Sequence, residues 1–334
     1  VGGSGQQDLL IGSTDAGGAR LILDGDSNGD GSGGDFAEIM NTTGGDLSIN
    51  ARNPSSDAVI TFSNNGSERM RIDSSGRLLI GTTTEGEASA DDLTIAGSGN
   101  QGITIRSGTS NYGLIYFSDT TSGTGEYDGA IEYKHNDNFM VFRTGSTERM
   151  RIDSSGRLLI GATSARSIAN ITCKTQIEAT DGSAALSITR NDNAAAASTC
   201  RLNFGRTRAT SLGGVTAVTT NDILGEIRFS GSDGTDLTNH AASIGAVVDG
   251  SVSSNTVPGR LVFNTATGSD PVERMRITSS GNVGIGTTTV DTKLDVRDSS
   301  GTGISSRSTN TQTTDTNKGL KVRNNSDTDT FSVS

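Results

Sequence analysis

Hydrophobic residues fall along this chain in short runs, most of them alternating with polar ones. ITFS, MRI, LLIG, ITI, LIYF, NFMVF, EIRF and RLVF are such runs, bounded by Gly, Asn, Asp and Ser. Strand side chains point alternately to opposite faces, so a period of two predicts short β-strands closed by turns. Hardly any segment sustains a helical period. The reading is all-β.

One pattern recurs. Residues 67–84 read SERMRIDSSGRLLIGTTT, residues 147–163 read TERMRIDSSGRLLIGAT, and residues 272–289 read VERMRITSSGNVGIGTTT. An earlier LLIGST at 9–14 lacks the ERMRI part. The shared glycines, Gly12, Gly81, Gly161 and Gly286, are 69, 80 and 125 residues apart, so the units share joints while their bodies vary. That spacing is too irregular for a closed propeller and favours a string of small antiparallel β-domains joined by repeated hairpin or β-prism joints. The expected units are 1–84, 85–163 and 164–289, with 290–334 the start of a further one.

Comparing the copies predicts a buried face. Leu78, Leu158 and Val283 correspond, as do Ile80, Ile160 and Ile285, whereas Leu79 and Leu159 become Gly284. A position that tolerates glycine is expected outside the core, so the Leu78–Ile80 face is expected inside. Met70 and Ile72, Met150 and Ile152, and Met275 and Ile277 are expected to share that face, with the flanking arginines opposite. Gly76, Gly156 and Gly281 take the positive-φ place in an SSG turn. Each joint then reads as a three-stranded antiparallel meander. Further strands are expected upstream at GITIRS, GLIYFS and GAIEYKH, and at ALSITR, RLNFGR, GEIRFS and ASIGAVV. The Glu and Arg of ERMRI form ion-pair ladders or a solvated face.

Composition narrows what these strands can build. Of 334 residues only 31% are hydrophobic and 4% aromatic; there are 45 glycines and no tryptophan. Thin sheets with so little bulky material fold best when neighbouring chains complete each other's cores. The net charge is −11 without basic blocks, which argues against nucleic-acid binding. No apolar run approaches the ~20 residues of a membrane span, so no membrane insertion is expected. The chain opens at Val1 rather than Met and stops in DTDTFSVS, and is expected to be a segment of a longer protein.

Candidate chemistry is sparse. Residues 24–35, DGDSNGDGSGGD, place Asp24, Asp26, Asn28, Asp30 and Asp35 at calcium-loop spacing, with Asp for the terminal Glu and no evident flanking helices. Calcium is the one candidate cofactor, and a solvated acidic turn is the alternative. His135 and His240 lack partners at metal spacing, and no GxSxG elbow or phosphate cradle is present. Glu126, Asp128, Glu132 and Asp137 lie near Tyr112, Tyr116, Tyr127 and Tyr133, all the tyrosines of the chain. Core packing, glycan binding and glycosidase chemistry compete for that cluster. Cys173 and Cys200 are expected as free or buried thiols, a disulfide being the lesser alternative.

The ERMRIDSSGxxxIGTT sentence, followed by a strand such as KLDVRD at 293–298, resembles repeats of tail-fibre and related virion structural proteins of tailed phages. Residues 23–49 look like another module of those proteins. The resemblance implies an intertwined homotrimeric fibre, often followed by a C-terminal intramolecular chaperone that is cleaved after assembly. No such region is visible up to Ser334, so it is expected to have been removed or to lie beyond. The implied function is a non-enzymatic shaft in the extracellular virion tail. Its partners would be its own copies, other tail proteins, and a cell-surface glycan or protein receptor at a distal tip. A calcium-stiffened bacterial adhesin and a polysaccharide-degrading spike are the alternatives.

Overall fold

In the computed structural model of the chain, the described residues are 11–12, 18–24, 36–42, 44–53, 55–190, 199–268 and 270–297. Among them the fold is all-β with one short 3-10 turn at Gly123–Tyr127, as the alternation predicts. The chain divides into two compact units, Val1–Arg106 and Ser107–Ser334.

The first unit holds two sheets. Strands β1 (Ala19–Asp24), β2 (Phe36–Asn41) and β3 (Leu47–Ala51) form an antiparallel sheet in chain order. Phe36 and Glu38, two apart on β2, are both buried, and Arg20, Arg52 and Asn50 surround the Glu38 carboxylate. Strands β4 (Ile60–Asn64), β5 (Ser67–Ile72), β6 (Leu78–Ile80) and β7 (Leu93–Ile95) form the second sheet. Its first three strands are the expected meander; β7 then returns parallel to β6.

The second unit holds two six-stranded sheets, each again in chain order. One comprises β8 (Tyr112–Phe117), β9 (Gly129–Lys134), β10 (Phe139–Thr144), β11 (Thr147–Ile152), β12 (Leu158–Ile160) and β13 (Thr175–Ile177). The other comprises β14 (Ile223–Gly231), β15 (Asn239–Val248), β16 (Gly259–Thr265), β17 (Val272–Ile277), β18 (Val283–Ile285) and β19 (Leu294–Val296). A bridge from Ile168 to Leu237, with the Ala169 N–H donating to the Leu237 carbonyl at 3.0 Å, ties the two together.

Three expectations change. The parallel strands β7, β13 and β19 extend each sheet past residues 84, 163 and 289, so the expected unit boundaries fall inside sheets. GITIRS, ALSITR and RLNFGR form no strand: alternation supplies the faces, but none of them enters a ladder. Of the calcium candidates, Asp24 ends β1 opposite Phe36 of β2, while Asp26, Asn28, Asp30 and Asp35 lie outside the described residues.

Candidate functional site: a repeated joint with one open apolar face

The ERMRI motif carries one residue too many for a flat ladder. Phe62 pairs with Met70 and Ser63 with Glu68, so Arg69 has no opposite number. The same bulge leaves out Arg149 and Arg274 in the later copies. An extra residue reverses the alternation locally, which puts Glu68 on the face of Arg71. The two lock in a bidentate pair, Nε–Oε1 2.5 Å and Nη2–Oε2 2.7 Å. Glu148–Arg151 repeats these distances, and Glu273–Arg276 repeats the arrangement. The Arg71 hydrogen bonds draw the Glu68 carboxyl below its ordinary pKa.

The carbonyl of each bulged arginine is taken by the glycine after LLI or VGI. Gly81, Gly161 and Gly286 donate to Arg69, Arg149 and Arg274 at 2.9, 3.1 and 2.9 Å. These glycines sit at φ +73, +76 and +70°, and a Cβ on them would stand 2.1–2.3 Å from the carbonyl oxygen of Ala96, Glu178 or Arg297. No other residue fits there. The SSG turn behaves as expected, with Gly76, Gly156 and Gly281 at φ +85, +67 and +76°. In the first two copies Asp73 and Asp153 cap it, each Oδ1 accepting from the N–H groups two and four residues on at 2.9–3.0 Å. Arg77 and Arg157 close it at Oδ2.

The buried face is the opposite of the expected one. Leu79 and Leu159 are 1% and 0% exposed, whereas Leu78, Ile80, Leu158, Ile160 and Val283 are half-buried and Ile285 is exposed. Met70, Met150, Met275 and Ile277 are also half-buried, and Ile72 and Ile152 exposed. The cause is the connection to the parallel strand, which folds back over the Leu79 side. Thr94, Gln176 and Asp295, the partners of Leu79, Leu159 and Gly284 in the ladder, each accept a backbone N–H from that connection, from Gly86, Arg166 and Asp291. At Gly284 the space is not vacant: Val290 places its Cγ2 2.6 Å from where a Cβ would stand.

The face expected to be core is apolar but open. Pairing aligns Phe62, Met70, Ile80 and Ile95 in one row, and Ile60, Ile72, Leu78 and Leu93 in the next. The β8–β13 sheet repeats the first row as Ile115, Ile131, Phe142, Met150, Ile160 and Ile177. The β14–β19 sheet repeats it as Ile227, Ile244, Phe263, Met275, Ile285 and Val296. Members of every row remain exposed, among them Phe62 at 45%, Ile72 at 39%, Ile115 at 47% and Ile227 at 46%.

No family model and no curated protein matches the sequence. Several solved structures are similar, among them two of a phage tail fibre. One is the carboxy-terminal domain of the bacteriophage T5 L-shaped tail fibre: 13% identity, TM-score 0.42, covering 79% of this chain and 99% of that one. The other is that domain with its intramolecular chaperone domain: 13% identity, TM-score 0.46, covering 71% of this chain and 70% of that one.

The remaining sequence candidates are scattered. Glu132 is buried and held by Arg143 at 2.9 Å, Asp137 pairs with Lys134 at 2.5 Å, and Asp128 accepts from the Ser146 hydroxyl at 3.0 Å. Glu126 lies exposed in the 3-10 turn. Glu132, Asp137 and Asp128 are thus tied to separate partners rather than facing each other across a cleft. His135 packs edge-on against Tyr133, and His240 lies 4.0 Å from Glu226. Cys173 and Cys200 are free and exposed. Among the described residues no group of three or more His, Cys, Asp or Glu side chains is placed to hold a metal, and no helix is long and apolar enough to cross a membrane.

Proposed function

We propose that the chain is a shaft segment of a phage tail fibre, a homotrimer in the extracellular virion tail that spans distance and presents a receptor-binding tip. One observation carries the reading: three sheets repeat the same apolar rows on an open face, while over the LLIG and VGIG strands their other face is closed by the chain's own connections. A partner that fits all three must carry the same repeat in the same order. Another copy of this chain does. Cyclic symmetry about a fibre axis turns every open face inward and leaves none unmatched. The strand-like segments GITIRS, ALSITR and RLNFGR, without sheet partners in one chain, suit intertwined copies. The joint residues fix strand register, and no chemistry on a substrate is assigned to them. Other tail proteins would meet the ends of such a shaft, and a cell-surface glycan or protein its tip.

Sedimentation of the folded chain tests this. A trimer is expected. A dispersed monomer overturns the reading; a dimer keeps the buried face and overturns the threefold axis. Replacing Phe62, Phe142 and Phe263 together by Ser is expected to shift the population towards monomer while far-ultraviolet dichroism stays strand-like.

A further inference from the structure

Three of the four tyrosines gather on the Leu159 side of the β8–β13 sheet. Tyr112, Leu114 and Tyr116 alternate along β8, on the face that carries Arg151 and Leu159 rather than on the open apolar rows. They are 40, 37 and 47% exposed, and Tyr127 of the 3-10 turn, 39% exposed, sets its ring centroid 6.2 Å from that of Tyr116, tilted by 47°. At strand spacing the line from Tyr112 to Tyr116 is about 14 Å, on the order of a short oligosaccharide.

The fold does not need these rings. In the β14–β19 sheet, β14 occupies the place of β8, and register aligns Leu114 with Glu226 and Tyr116 with Arg228. There the same two positions hold an ion pair at 2.7 Å. One scaffold thus accepts either chemistry, and of the two six-stranded sheets the β8–β13 sheet exposes aromatic surface at these positions. The cations beside the rings are already neutralised, Lys134 by Asp137, Arg143 by Glu132 at 2.9 Å and Arg151 by Glu148, while Glu126 beside Tyr127 stays exposed. Among the described residues, neither the Tyr116 nor the Tyr127 phenol is hydrogen-bonded within the chain. Apolar ring faces, the two free hydroxyls of Tyr116 and Tyr127 and the lack of an unpaired cation beside them give no hold on an acidic glycan, and match an uncharged partner that offers flat C–H faces and many hydroxyls.

We infer that Tyr112, Leu114, Tyr116 and Tyr127 form a platform for a linear chain of neutral sugar rings. The site binds and does not cleave, since Glu132, Asp137 and Asp128 are held by separate partners and Glu126 alone is left without a second carboxylate to work with. It goes beyond the fibre reading without depending on it, because this face is not the one that association covers.

With no tryptophan in the chain, intrinsic emission comes from the tyrosines, all of them in this sheet or its adjoining turn. The experiment titrates the full chain with cellohexaose, mannohexaose and chitohexaose, following that emission and confirming by calorimetry. At least one probe is expected to bind saturably. Tyr116→Ala and Tyr127→Ala should each weaken it by about tenfold or more, while Tyr116→Phe, which keeps the ring, stays within about threefold. Tyr133→Phe, altered on the opposite face, should bind as the parent does. Saturable binding by none of the three probes overturns the proposal, as does unchanged affinity in both alanine variants. Association of copies through the free β8 edge, insensitive to all three sugars, also overturns it. Sedimentation of the same samples scores the fibre reading separately, so either idea can fail alone.

Discussion

The first two joints and the third solve one problem with different atoms. In the joints around Leu79 and Leu159 a leucine fills the space beneath the connection to the parallel strand. That connection spans 81–92 and 161–174. In the third joint it spans only 286–293, the leucine is Gly284, and Val290 reaches in from the connection itself. The turn differs too: Asp73 and Asp153 cap the first two, whereas Thr278 and the distant Asp249 share the task in the third. What stays constant is the backbone. Each joint has the same bulge, the same glycine at positive φ and the same hydrogen bond from that glycine to the bulged arginine. The constraint is on a filled volume and a fixed backbone path; which residue fills the volume is free.

The largest effect is expected where that volume is emptied. Leu159→Ser and Leu79→Ser should each destabilise the fold by about 2–5 kcal/mol from truncation, with a further cost for the buried hydroxyl. Ile160→Ser, on the open face, should lower the melting temperature of the isolated fold less and show its effect in sedimentation, as weaker association. Melting and sedimentation of the pair break the comparison cleanly. If Ile160→Ser unfolds the chain while Leu159→Ser leaves it intact, the closed face is not the core.

A smaller effect is expected at the third joint. Gly284→Leu imports the first joints' solution into a space already held by Val290, and overpacking of this kind costs about 1–3 kcal/mol. Val290→Ala alone should also destabilise, by loss of packing. The double variant should recover much of both losses, giving a favourable coupling in a double-mutant cycle of melting data. Simple additivity would mean that Val290 and the leucines do not fill equivalent space.

Much of this architecture was legible in the sequence. The three meanders follow from alternation and turn glycines, and Gly76, Gly156 and Gly281 have the φ that the turn requires. The buried face was not legible, because both faces of LLI are apolar and alternation cannot rank them. Gly284 looked like a tolerant position, but its missing side chain is supplied six residues later. A valine in a shortened connection was the available signal. The bulge left a trace as well: Glu68 and Arg71, three apart, can share a strand face only with one extra residue between them. The strands β7 and β13 were hidden by their brevity, three residues each, and by the connections that separate them from their partners; β19 lies within KLDVRD, expected as a strand but not as one that closes the sheet in parallel. The sugar platform was visible as a cluster of tyrosines. Only the register against β14, where Glu226 and Arg228 stand instead, separates it from core packing.

The smallest expected effect is electrostatic and sharpens the contrast between the turns. Burial alone would raise the Asp153 carboxyl, but hydrogen bonds from the Arg157 backbone and side chain and from Ser155 outweigh it, so its pKa is lowered. Asp249 is lowered in the same sense, the Ser279 and Arg260 contacts outweighing burial. A carboxylate with a depressed folded pKa stabilises the fold at pH above its unfolded value, near 3.9, and that contribution is lost as pH falls through the folded value. Asp153→Asn should therefore lower the melting temperature by a few degrees at neutral pH, and the gap to the parent should close in strong acid. Asp249→Asn should behave alike, since it supplies the carboxylate that the third turn lacks. Thr278→Val removes a contact from a hydroxyl that does not titrate, the 3.1 Å bond from the Asn282 N–H, so its gap should be the same at both extremes. Melting the three variants beside the parent across this pH range decides the matter. A gap for Asp153→Asn that survives in strong acid would show that the amide fails for reasons of shape, and that charge has no part in holding the turn.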